Sequence, residues 1–113
     1  MELIQPFKDA LASDWQSALE RDEWFFTFLE DDISDRLSPS QAFAAIDEIT
    51  ALIHQQTEPF IQWRCGLFLN TLSRRSNTTE MPPGLQSTWQ IVVELLSDFP
   101  DIVADLRSWY RRP

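Results

Sequence analysis

The carboxylates are the side chains of this sequence with the most chemistry to offer. Glu30, Asp31, Asp32, Ile33, Ser34 and Asp35 follow one another directly. Asp31 and Asp35 are one helical turn apart, a spacing at which two carboxylates can hold hydrated Mg²⁺ against a diphosphate. The same groups can instead attract arginine and lysine on another protein. Elsewhere the chemical inventory is thin. Cys65, the only cysteine, lies in the most apolar stretch with Arg64 as its sole basic neighbour, and there a thiol reads as a small core residue. His54, the only histidine, can share a helical face with Asp47 and Glu58. Zinc needs three or four closely placed ligands, and di-iron bundles need paired Glu-x-x-His motifs, which this chain lacks. There is no glycine-rich phosphate loop. The sequence therefore assigns no catalytic residue, no metal ligand set and no cofactor.

Asp31, Asp32, Ile33, Ser34 and Asp35 spell D-D-x-x-D, a string that resembles the aspartate-rich motif of isoprenoid synthases. The resemblance covers five residues and implies a Mg²⁺-dependent enzyme acting on a phosphorylated substrate through Asp31, Asp32 and Asp35. Those enzymes are far longer, and their second metal-binding motif has no counterpart here. No arginine or lysine cluster stands beside the string to hold a diphosphate.

Charge points elsewhere. The 113 residues carry 18 acids against nine Lys and Arg, a net charge of −9. Ten of the acids fall within residues 1–35 against Lys8 and Arg21, so that third holds 10 − 2 = 8 of the nine excess charges. Such a field repels polyanions and argues against direct binding to nucleic acid or anionic lipid. It suits a basic protein partner. The acidic run also breaks a local rule, because carboxylates toward the C-terminal end of a helix oppose its dipole. Sequences that break a local rule tend to serve a site there.

The elements that must position these groups are helical. The chain's length implies one domain over residues 1–113, and two glycines argue against a turn-rich all-β fold. Phe7, Ala10, Leu11, Trp15, Ala18 and Leu19 recur at three and four, predicting a first helix over about 6–20. Asp22 can cap a second, with Phe25, Phe28 and Leu29 in one stripe and Phe26, Ile33 and Leu37 in another. Ser38, Pro39 and Gln41 carry a capping-box signature for a third helix running to about Gln56. Pro59 restarts the chain into the most apolar helix, expected at the centre of the fold, with Gly66 marking a close helix crossing. Residues 73–83 read as an exposed loop. Leu85, Trp89, Val92 and Leu96 mark a fifth helix, and Asp98 to Asp101 start a sixth in which Ile102, Leu106 and Trp109 face inward. The fold class is all-α, about six helices in an antiparallel bundle or stacked helical hairpins.

Five Trp and eight Phe are more rings than a small core needs, so aromatics near Trp24 are expected to stay exposed beside the acids. Aromatic anchors ringed by charge are what tight interfaces use. The expectation is a non-enzymatic protein that binds a basic protein stoichiometrically through Asp22, Glu23, Trp24, Glu30, Asp31, Asp32 and Asp35, in the manner of an immunity protein or an inhibitor. The competing expectations are the Mg²⁺-dependent enzyme and a structural subunit or homodimer. One cysteine and the lack of a basic, apolar leader give a cytoplasmic location as the default, and no apolar run is long enough to span a bilayer.

Overall fold

The computed structural model describes residues 2–113, and among them there is no strand. Eight helices follow in order: α1 (Gln5–Ala12), α2 (Trp15–Arg21), α3 (Phe25–Arg36), α4 (Pro39–Ile53), α5 (Pro59–Arg75), α6 (Pro83–Ser87), α7 (Trp89–Leu95) and α8 (Pro100–Trp109). The all-α class is as expected. The higher count arises because two expected helices are each broken once.

The first break is at Ser13 and Asp14. Asp14 accepts from the Ser17 N–H (3.2 Å) and from Ser17 Oγ (2.7 Å), so it caps α2 and the helix of 6–20 becomes α1 and α2. The second is at Thr88, whose hydroxyl donates to the Gly84 carbonyl (2.8 Å) and separates α6 from α7. The start of α4 is as read: Ser38 Oγ accepts from the Gln41 N–H (3.2 Å), and Gln41 Oε1 accepts from the Ser38 N–H (2.9 Å). Ser73 to Arg75 continue α5, so the loop is shorter than expected, and Met81 and Pro82 within it are buried. It is packed down at that end, not wholly exposed.

Helix α5 is the axis of the molecule. Ile61, Cys65, Phe68, Leu69 and Leu72 are buried along it, and α4 lies against it most extensively, with α3 and α8 on its other flanks. Gly66 is where α8 and the α7 end cross closely: a Cβ there would meet Leu96 Cδ2 at 3.0 Å and Ile102 Cγ2 at 3.1 Å. The core continues through α4 (Ala42, Ala45, Ile46, Ile49, Ile53) and is joined to α1 by Phe7, whose ring lies 4.8 Å from that of Phe68. Glu48 of α4 accepts from the Leu3 N–H (2.8 Å), tying down the entrance to α1. Between α5 and α8 a buried hydrogen bond joins Ser73 Oγ and Tyr110 Oη (2.7 Å). Burial pushes the Tyr110 phenol above its ordinary value despite that bond.

Candidate functional site

Helix α3 presents its inner face to α5 and α1 and its outer face to solvent. Phe26, Ile33 and Leu37 are buried as their spacing predicts. At 100° per residue, Trp24, Phe28, Asp31, Asp32 and Asp35 fall within one stripe about a quarter-turn wide on the outer face. All five are exposed, Trp24 by 55% and Phe28 by 62%. Phe28 departs from the expected inward stripe: Phe25 and Leu29 are half-buried, and Phe28 stands one turn after Trp24, its N–H donating to the Trp24 carbonyl (2.9 Å). The i, i+4 step from Trp24 was the signal that could have placed it on the acidic side.

Asp22 and Glu23 stand exposed in the turn before the helix. Asp22 Oδ1 accepts from the Trp24 N–H (3.0 Å), fixing the start of the stripe, while Trp24 itself occupies the cap position. Asp31 and Asp35 make no ion pair, and Asp32 meets Arg36 at 3.0 Å across an exposed turn, a pair worth about 0.5 kcal/mol or less. The unfavourable end of the helix dipole is partly answered by Arg36 and by Arg75 of α5, whose Nε donates to the Leu37 carbonyl (2.9 Å) and Nη2 to that of Asp35 (3.4 Å).

Glu30 is the exception among the expected contact residues. It lies half a turn from the stripe, only 3% exposed, and its carboxyl accepts from Arg64 Nε (3.0 Å) and Nη2 (2.9 Å). The guanidinium also sits 5.0 Å from the Trp63 ring centroid and 5.7 Å from that of Phe26. Burial outweighs Arg64 here and raises the Glu30 carboxyl from its ordinary 4.5 to about 7. The residue fastens α3 to α5 and is withdrawn from the outer surface. Its inward position is legible in the spacing, four residues after Phe26 and three before Ile33 on the buried stripe, but its partner Arg64, 34 positions away, is not.

Of the other groups that read as candidate chemistry, Asp47 and His54 line one pocket, and Glu58 and Cys65 do not share it. Cys65 is buried, and burial, followed by the nearby Glu30 carboxylate, pushes its thiol up to about 12, so it is not a nucleophile at neutral pH. Glu58 caps α5 by accepting from the Ile61 N–H (2.9 Å), His54 is exposed at the end of α4, and Asp47 faces Gly84. Among the described residues no three His, Cys, Asp or Glu side chains converge closely enough to hold a metal ion, and Asp31, Asp32 and Asp35 are included in that statement. No described helix is long and apolar enough to cross a membrane. No family model matches the chain, and neither a curated protein nor a solved structure matches it.

Proposed function

We propose that the protein acts without catalysis, binding a basic protein stoichiometrically through the outer stripe of α3, with Asp22 and Glu23 at its edge. The observation that carries this reading is the alignment of two largely exposed rings, Trp24 and Phe28, with Asp31, Asp32 and Asp35 on one solvent face. A folded chain does not gain by leaving an indole and a phenyl ring in water, and two adjacent ones form a patch that a partner would cover. Carboxylates beside them supply the long-range attraction, which speeds encounter, while the rings slow release once desolvated. Neutralisation of a toxin or inhibition of a basic enzyme is the form of binding such a face would serve. The lone free cysteine fits a reducing cytoplasm.

The test uses the immobilised wild-type protein beside two variants, D31N/D32N/D35N and W24A/F28A. The wild type should retain a basic protein that salt elutes and that neither variant retains. With that partner purified, the wild-type association rate should fall steeply with added salt, and the aspartate variant should associate slowly with little salt dependence. Wild-type rates for both variants at every salt concentration would overturn the proposal.

A further inference from the structure

A second site is marked by the arginines that the fold leaves unused. Lys8 pairs with Glu2, Arg36 with Asp32 and Arg64 with Glu30. Arg75 bonds to the end of α3, Arg107 to the Pro113 carbonyl, and Arg112 lies against Met81 and the Trp89 ring. Among the described residues that leaves Arg21, Arg74 and Arg111 with neither an ion pair nor a side-chain hydrogen bond. Arg74 and Arg111 line the same cleft, about 370 Å³, between the end of α5, the end of α8 and the loop after α5.

Arg111 occupies that cleft at a conformational cost. The turn after α8 is a Schellman motif, in which the Arg112 N–H donates to the Arg107 carbonyl (2.8 Å) and the Arg111 N–H to that of Ser108 (3.3 Å). Its central residue must be left-handed, and Arg111 has φ 56° where glycine would be unstrained. Strain held by a charged residue that lines a cleft is a mark of a site. Asn70 adds a polar group to the wall of the cleft. It is 5% exposed, it lines the same cleft, and its amide makes one bond only, a long one of 3.5 Å from Nδ2 to the Ile102 carbonyl. Its Oδ1 makes no hydrogen bond within the protein and is open to solvent, so it can accept from a ligand in the cleft. Trp109 forms a wall whose position is fixed by its Nε1–H donating to the Thr78 carbonyl (3.0 Å).

The charges in the cleft are of both signs. Asp105 lines it alongside Arg74, and both also line the adjoining pocket that reaches Asp31 and the Arg64–Glu30 pair, yet Asp105 and Arg74 do not pair with each other. A plain anion would meet Asp105 and the field of a chain of net charge −9. A ligand carrying a carboxylate and an ammonium on one small frame meets neither objection.

We propose that this cleft binds a free α-amino acid. The carboxylate lies at Arg74 and Arg111, where guanidinium forks suit it; the ammonium lies at Asp105 and the free end of the Asn70 amide; an apolar or aromatic side chain lies on Trp109. The inference does not rest on the proposed role of the outer stripe of α3, of which Asp31 alone lines the adjoining pocket.

Ligand-observed NMR with the common L-amino acids in turn tests it, with the Trp109 indole N–H as the protein-side reporter. L-Phenylalanine is compared with 3-phenylpropionate and 2-phenylethylamine, which keep one charge each. At least one amino acid should bind with a Kd of about 1 mM or tighter, and analogues lacking either charge should bind about tenfold more weakly or worse. Asp105→Asn should lose the binding. Arg111→Gly should lose it as well while raising the melting temperature by about 4 °C, because the left-handed strain is relieved; a lost site would then not reflect a lost fold. Failure of every amino acid to bind, equal binding of L-phenylalanine and 3-phenylpropionate, or a lower melting temperature for Arg111→Gly would each overturn the inference.

Discussion

Changing Glu30 to glutamine should alter how stability responds to pH more than it alters the structure. The folded chain holds the Glu30 proton up to about pH 7, whereas an exposed carboxyl releases it near 4.5. Between those values the folded state binds more protons than the unfolded one, so the contribution of this group is fully present below 4.5 and is lost as pH rises through 7. The interval is 7 − 4.5 = 2.5 pH units, which at about 1.4 kcal/mol each amounts to about 3 kcal/mol. Glu2 and Asp14, held below the ordinary carboxylate range by Lys8 and by Ser17 respectively, act in the opposite direction. Their contributions are lost only as pH falls through those lowered values, so a window from pH 4.5 to 8 leaves Glu30 dominant. Urea unfolding followed by tryptophan fluorescence across that window should show the wild type losing about 3 kcal/mol toward the alkaline end. Glu30→Gln should be nearly flat. Parallel pH profiles for the two proteins would refute the reasoning: they would mean that the two hydrogen bonds from Arg64 keep the carboxylate ionised throughout and that burial does not dominate.

Ser38→Ala removes the acceptor for the Gln41 N–H and should cost about 1 kcal/mol in the same denaturation assay. Gly66→Leu drives a side chain into Leu96 and Ile102, already at 3.0 and 3.1 Å from the position of a Cβ, and should cost about 3 kcal/mol or more, with a matching drop in melting temperature.

Legibility in the sequence follows the range of the interactions involved. The start of α4 is written in Ser38, Pro39 and Gln41, and the central place of α5 in its dense apolar run; both depend on neighbours along the chain. The breaks at Asp14 and Thr88 were hidden because the apolar spacing runs through them, from Leu11 to Trp15 and from Leu85 to Trp89, while one or two side-chain hydrogen bonds at each decide the backbone. The loop after α5 looked exposed from composition, yet Met81 and Pro82 are drawn into the core by elements distant in sequence. Within the outer stripe of α3, Asp31, Asp32 and Asp35 were readable from spacing alone. Phe28, left outside because Phe25 and Leu29 already fill the contact with the core, shows only in its i, i+4 step from Trp24, and Glu30 belongs by spacing to the inner stripe of Phe26 and Ile33, although the Arg64 that meets it there is too distant in sequence to be read.

Arg64 and Arg75 stand eleven residues apart on α5, three full turns, and so share one face of it. The first grips α3 at mid-length and the second at its end. Held at two points, α3 is braced against rolling or sliding along its support, and the partner proposed for it would meet a stiff rail. Little freedom remains to be lost in that encounter, and amide hydrogens along the inner side of α3 should be among the slowest in the molecule to exchange with solvent.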